Sequence, residues 1–135
     1  MTKLTDWQSR LIRFVGSAGR KPFEAGRNDC TLFAAGCVEA QTGVDFAADW
    51  RGRYTTLRGG QRMLRKAGYR DHVEMVERLF EEVPVAFAQP GDVAVLPTPD
   101  GPALGIVQGE AIYVLRQDGL ALEFLLTAQR AFRVI

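Results

Sequence analysis

Histidine is almost absent from this sequence, and cysteine is scarce. The 135 residues include one histidine, His72, and two cysteines, Cys30 and Cys37. A structural zinc site needs four cysteine or histidine ligands, so we expect neither a metal nor another cofactor. No apolar run approaches the roughly 18 residues that cross a bilayer, which predicts no membrane span. The first residues also lack the apolar stretch of a signal peptide, so we expect synthesis and retention in the cytoplasm.

The composition is that of a folded protein. Hydrophobic residues make up 47% of the chain and charged residues 24%, which argues against disorder. The length predicts one domain, residues 1–135, with room for a hydrophobic core. Cys30 and Cys37 are predicted to lie on one helix, about 10.5 Å apart along its axis. A disulfide spans at most about 7 Å between Cα atoms, so both are predicted to be free thiols.

Helical spacing is typical of the first 82 residues, and short β segments between turns are typical of the rest. Thr5 and Gln8 are predicted to form a capping box for a first helix that stops at Gly16. Further helices are predicted over residues 30–41, 58–67 and 71–80. Strands are predicted over residues 85–88, 92–96, 103–107, 111–116, 120–126 and 130–135. Helices followed by an antiparallel meander indicate an α+β fold.

The charges are unevenly distributed along the chain. Residues 1–70 hold 13 Lys and Arg against 6 Asp and Glu, whereas residues 71–135 hold 4 against 10. Much of the excess lies in one acid-free stretch that contains Arg51, Arg53, Arg58, Arg62, Arg65, Lys66 and Arg70. Such a stretch can bind nucleic acid, an anionic wall polymer or an acidic protein neighbour. The alternative is that it pairs with the acidic second half of the same chain. Few aromatic residues and a near-neutral net charge do not favour nucleic acid.

Asn28 or Asp29 is predicted to cap a helix that begins near Cys30. The partial positive charge at a helix N-terminus stabilises a thiolate, and the free N–H groups there stabilise an oxyanion. A thiol at this position beside a histidine from a sheet is the arrangement of papain-like hydrolases. The alternative is that Cys30 is a small buried hydrophobic residue, as most isolated cysteines are.

Three segments resemble the NlpC-type cell-wall peptidases, in the same order along the chain. Residues 22–33, with Asp29 and Cys30 at the start of a helix, resemble the nucleophile segment of those enzymes. Residues 90–96 resemble their Pro-Gly-Asp strand, and residues 103–107 resemble the strand that carries their catalytic histidine. The resemblance implies a papain-like fold with N-terminal helices packed on a C-terminal antiparallel sheet of five or six strands.

The whole chain resembles a group of small proteins encoded in tail-gene clusters of phages and prophages. The shared features are the Asp-Cys helix, the segment Arg51-Gly52-Arg53-Tyr54, and the Gly-Asp-Val and Leu-Gly-Ile-Val strands. This resemblance implies a structural role in a virion tail, at the tip or hub. The implied partners are other tail subunits.

The chain departs from the peptidases at the positions that carry their chemistry. Ala103 stands where the resemblance places the general-base histidine, and Phe23 stands where it places a tyrosine. The third polar position falls among residues 111–113, where no side chain orients an imidazole. His72 is expected near a helix start, partly exposed, and nothing in the resemblance brings it to Cys30. We therefore interpret the protein as non-catalytic, with Phe23, Asp29, Cys30 and Ala103 as the remnant of the site.

Two other functions stay open at this point. One is an active cysteine peptidase or amidase acting on peptidoglycan, with Cys30 as nucleophile and His72 or a partner's residue as base. The other is a nucleic-acid surface on the basic stretch. For the structural role we expect Arg51, Arg53, Arg58, Arg62 and Arg65 to form the interaction surface. Some should pair with acids such as Glu81, Glu82 or Asp92, and the others should face a neighbouring subunit.

Overall fold

The computed structural model describes all 135 residues, as four α-helices and six β-strands. The helices are α1 (Trp7–Gly19), α2 (Cys30–Thr42), α3 (Leu57–Lys66) and α4 (His72–Leu79). The strands are β1 (Glu81–Val83), β2 (Val93–Thr98), β3 (Gly101–Val107), β4 (Ala111–Arg116), β5 (Gly119–Phe124) and β6 (Arg130–Arg133). The predicted α+β class is confirmed, and the sheet has six strands.

All neighbouring strands of the sheet are antiparallel, in the order β1-β6-β2-β3-β4-β5. Strands β2 to β5 follow one another as hairpins, which short turns permit. The last strand returns to pair with both β1 and β2. As a result β1 and β5 are the two edges of the sheet.

The predicted strand over residues 85–88 is wrong, because Val85–Phe87 forms a 3₁₀ helix. The edge position beside β6 is taken by β1, which the sequence analysis missed. Pro84 follows β1 directly and has no N–H to donate to a ladder. The chain therefore leaves the sheet at this proline. Residues 125–126, predicted to extend β5, instead begin a second 3₁₀ helix, Leu125–Thr127.

The start and the end of α1 also differ from expectation. Its N-cap is Asp6, with no side-chain capping bond, so the predicted capping box of Thr5 and Gln8 does not form. The helix continues through Gly16 to Gly19, because packing against α2 outweighs the weak helix propensity of glycine. The ring of Phe14 lies over Gly36 of α2, where a Cβ would come within 2.2 Å of it.

The main core lies between the sheet and the pair α1 and α2. Its fully buried members include Phe33 and Val38 from α2, and Leu104 and Phe132 from the sheet. Cys37 is buried in this core, and both cysteines are free thiols, as predicted. None of the four helices has the length and hydrophobicity needed to cross a bilayer. No three side chains of the metal-binding types are grouped together.

Candidate functional site

The N-terminus of α2 is organised by one buried carboxylate, that of Asp29. Its Oδ1 accepts from the Leu32 N–H at 2.9 Å, which is the capping bond that the sequence predicts. Its Oδ2 accepts from the Gly26 N–H at 2.9 Å and from the Tyr54 hydroxyl at 2.5 Å. Asp29 is 1% exposed, so all of its strong interactions are with the protein.

Tyr54 fastens a distant loop to this helix start. The Gly52 N–H donates to the Gly26 carbonyl at 2.8 Å, and a Cβ at Gly26 would lie 1.8 Å from the Tyr54 carbonyl oxygen. Gly26 also has a φ of 85°, where other residues are strained. Burial and the charge of Asp29 raise the pKa of Tyr54, so its hydroxyl stays a hydrogen-bond donor. The sequence singled out Tyr54 only as part of the segment Arg51-Gly52-Arg53-Tyr54, with no structural role.

Cys30 is the first residue of α2 and is half-buried. Its side chain packs against a cluster of apolar residues on the sheet that includes Ala103 and Val114. The only polar side chain within hydrogen-bond distance of its sulfur is Thr31, whose Oγ1 lies 3.9 Å away. Burial raises the pKa of the Cys30 thiol, and the charge of Asp29 raises it further, despite hydrogen bonds from the main chain of Leu104. A raised pKa favours the neutral thiol of Cys30 over its thiolate.

His72 lies in the same cavity as Cys30, contrary to the expectation that it is partly exposed and apart. It is the first residue of α4 and is 7% exposed. Its Nε2 lies 2.7 Å from the Pro102 carbonyl oxygen, so Nε2 carries the proton and donates it. Its Nδ1 then accepts from the amide nitrogen of Gln61, 3.0 Å away. Both ring nitrogens are thus committed to groups other than Cys30.

The cavity has a volume of about 410 Å³ and opens between α3, the start of α2 and the turns at one end of the sheet. This volume is within the range of small-molecule sites. Its wall includes all four predicted remnant positions, namely Phe23, Asp29, Cys30 and Ala103. Arg58, Arg116, Asp100 and Asp118 contribute charged groups to the same wall. The structure therefore brings together the residues that the sequence analysis singled out, and adds His72 to them.

A single protein-family model spans nearly the whole chain. It matches residues 2–134 and is described as a domain of unknown function, DUF6950. The chain belongs to the DUF6950 family. No curated protein matches it.

The five arginines predicted to form an interaction surface fall into two groups in this DUF6950 chain. Arg51 is internal, because its Nε and Nη2 donate to the Asp45 carboxylate at 2.8 and 3.1 Å, and Nη2 also reaches the Leu32 carbonyl. The other four are exposed and form no ion pair, and they are Arg53, Arg58, Arg62 and Arg65.

The expected pairing of these arginines with acids of the second half is wrong. Glu82 is bound by Arg130 at 2.7 Å, and Asp92 is bound by Arg133 at 3.1 Å. Glu81 has no ion-pair partner. Glu82 and Asp92 are bound instead by two arginines of β6, which the strand order places beside them.

Asn28, which the sequence offered together with Asp29 as a cap of α2, has a different role in the structure. Its amide nitrogen donates to the carbonyls of Ala18, Lys21 and Pro22 at 3.1 to 3.3 Å. These bonds hold the loop before Cys30 against the end of α1. The only signal for this role is that asparagine is frequent in loops that precede helices.

Proposed function

We propose that this chain is a non-catalytic NlpC-like, papain-like domain that serves as a structural component of a phage or phage-like tail. It acts at the tail tip or hub through contacts with other tail subunits. The observation that carries the proposal is the chemistry around Cys30. Its thiol has a raised pKa and no histidine or carboxylate bound to it.

A cysteine hydrolase needs a base within about 3.2 to 4 Å of the sulfur and a third group that orients the base. Ala103 has no polar atom to offer. His72 donates to Pro102 and accepts from Gln61, so it has no free lone pair for the thiol. Since the members of a catalytic triad act as a unit, loss of the base removes most of the rate enhancement.

The exposed arginines favour a protein partner that carries carboxylates. Arginine binds carboxylates through two parallel hydrogen bonds and stays charged at all physiological pH values. The nearby aromatic rings are already engaged: Tyr69 packs edge-on to Trp50 and lies under Arg78, and Tyr54 is bound to Asp29. Both tyrosines near the exposed arginines are thus already in contact with other side chains, which argues against base stacking and so against single-stranded nucleic acid on this surface.

Support for the tail assignment comes from the resemblance to tail-cluster proteins, which includes residues 51–54. In this fold that segment holds the start of α2, because Tyr54 is bound to Asp29 and Arg51 to Asp45. Residues 51–54 and the Asp-Cys helix therefore support each other structurally, and this role does not require a hydrolytic activity.

Thiol labelling and cleavage assays test the proposal on the purified protein. At pH 6 we expect a mild alkylating reagent to modify Cys30 no faster than it modifies a thiol of ordinary pKa. We expect no cleavage of muropeptides, and the Cys30→Ala variant is the matched control for both assays. Rapid labelling at pH 6, or cleavage that Cys30→Ala abolishes, would show that the protein is an enzyme.

One observation favours the alternative of an active cysteine peptidase or amidase acting on peptidoglycan. His72 lines the same cavity as Cys30, so a rotation that breaks its bond to Gln61 would free the Nδ1 lone pair to act as a base. In that case Cys30→Ala and His72→Ala both abolish cleavage. Gln61→Ala, which releases Nδ1 of His72, retains it. A cleavage activity that survives His72→Ala rules out this mechanism.

A further inference from the structure

The two edge strands of the sheet differ in length and in charge. The edge strand β1 has three residues, and two of them are glutamates. The edge strand β5 has six residues, and Glu123 is its only charged one. Short charged edges resist pairing with another strand, whereas longer apolar edges serve as templates for it. β5 is therefore the open edge of the sheet.

The main-chain groups on the outer side of β5 are largely unpaired. The Leu125 N–H donates to the Glu110 carbonyl at 2.8 Å, and Ala111 is paired with Phe124. Because hydrogen bonds alternate along an antiparallel ladder, the N–H and C=O of Leu120, Leu122 and Phe124 point away from β4. Of these, only the Phe124 carbonyl has a bond within the chain, from the Thr127 hydroxyl.

The side chains of the same three residues share one face of the sheet, since they alternate along the strand. Leu120 packs against the main core beside Gly19 of α1. Leu122 and Phe124 continue this apolar strip but are 62% and 78% exposed. An unpaired main chain and an uncovered apolar strip thus coincide on one strand.

We propose that β5 pairs with β5 of a second copy of this chain, antiparallel about a two-fold axis at Leu122. In this register Leu122 lies opposite the partner subunit's Leu122, and Leu120 lies opposite the partner subunit's Phe124. Every outward-pointing main-chain group then meets one on the other strand, and the apolar side chains of both strands share a face. A register shifted by one residue would put Leu122 opposite an alanine and misalign the hydrogen bonds.

Charge complementarity supports a second copy of this strand as the occupant. In the proposed register Glu123 lies opposite the partner subunit's Ala121, so the two glutamates do not face each other. Arg116 now pairs with Glu123 of its own chain at 3.5 Å, and its Nε is buried without a partner. In the dimer the partner subunit's Glu123 would lie opposite Ala121, and Ala121 lies opposite Val114, which is two residues from Arg116 along β4. Glu123 of the same chain lies opposite Ile112, which is four residues from Arg116. Each dimer therefore gains two arginine–glutamate contacts.

Light scattering during gel filtration, over a series of concentrations, tests the association. We expect the wild-type protein to shift from one chain to two as its concentration rises. Leu122→Lys puts two like charges at the axis and should raise the dissociation constant at least about tenfold. The control is Leu126→Lys, because Leu126 is 80% exposed but lies outside β5; it should leave dimerisation unchanged. A wild-type protein that stays monomeric at every soluble concentration overturns the proposal.

A disulfide test checks the register without relying on destabilising charges. Cα atoms of a hydrogen-bonded antiparallel pair lie about 5.5 Å apart, within disulfide range. Leu122→Cys should therefore form a covalent dimer on mild oxidation. The control Phe124→Cys places the two thiols about 13 Å apart along the strands and should not. Cross-linking by Phe124→Cys, or none by Leu122→Cys in a dimeric protein, contradicts this register. The result is independent of the proposed tail function, which rests on other residues.

Discussion

At the residue scale, the most informative group is the carboxylate of Asp29. The sequence predicts that Asn28 or Asp29 caps α2, and the Leu32 bond shows that Asp29 is the cap. The structure adds bonds from Gly26 and Tyr54, which join three separated segments at one buried charge. A buried carboxylate needs such donors, because an unpaired one would carry a large desolvation penalty.

The close approach of Gly26 to Tyr54 leads to a prediction with a matched control. Gly26 and Gly52 have similar positive φ values, 85° and 77°. A Cβ at Gly52 would meet nothing within 4 Å, whereas one at Gly26 would collide with a carbonyl oxygen. Gly52→Ala should lower the free energy of unfolding by about 1 kcal/mol from backbone strain alone. Gly26→Ala should lower it by at least about 3 kcal/mol. Urea denaturation measures both, and equal losses would contradict the argument.

At the element scale, the segment between α2 and α3 is ordered without regular secondary structure. Residues 46–52 form a series of turns. Asp45 and Arg51 hold these turns together through two hydrogen bonds. Arg51 also donates to the Leu32 carbonyl, which connects the segment to α2.

The pair of Asp45 and Arg51 leads to a prediction about acid stability. Burial by itself would raise the pKa of Asp45, but the hydrogen bonds from Arg51 and from the Ala47 N–H, together with the charge of Arg51, outweigh it and lower the pKa from 3.8. A lowered folded-state pKa means that this stabilisation is present above the unfolded-state pKa and is lost as the pH falls through the folded-state value. Arg51→Lys, which loses the bidentate bond, should therefore destabilise the protein by about 1 kcal/mol at pH 7.

The difference between Arg51→Lys and the wild type should shrink below about pH 4, where the unfolded-state carboxylate becomes protonated. Arg53→Lys is the control, since Arg53 is exposed and without an ion pair; its stability should match the wild type at every pH. Thermal unfolding at pH 7, 5 and 3 gives the comparison. A constant difference between Arg51→Lys and the wild type over this range would show that the ion pair is not its source.

At the scale of the whole molecule, the two halves of the chain do not neutralise each other through contacts. Only the Arg70–Glu74 ion pair joins them, and the others lie within one half. The exposed side of α3 therefore keeps its positive charge. Arg58, Arg62 and Arg65 share one face of this helix at spacings of three and four residues.

The α3 face gives a prediction for assembly that rests on the proposed tail function. Replacing Arg62 and Arg65 together by alanine should reduce incorporation into tail particles several-fold, because it removes charge-assisted contacts to a partner. The melting temperature should change little, since exposed charges contribute little to stability. Replacing Arg13 of α1 and Arg20 at its C-cap, both of which are exposed, is the control for net charge. Normal assembly of the α3 variant excludes this face as the contact, and unfolding would indicate an internal role instead.

The sequence by itself determined the elements whose signals are local. The free thiols, the start of α2 at Cys30, its end before Gly43 and most of the strands follow from periodicity, capping residues and turn residues. The sequence also singled out Phe23, Asp29, Cys30 and Ala103, and these four residues line one cavity.

Only the tertiary structure decided which groups meet across long separations in the chain. The placement of His72 beside Pro102, of Tyr54 on Asp29, and of Arg130 on Glu82 depends on how α3, α4 and β6 pack. None of these contacts has a periodic or capping signature, because each joins residues 25 or more positions apart. The same packing leaves β5 as an open edge, since an edge is defined by the strand that is missing beside it.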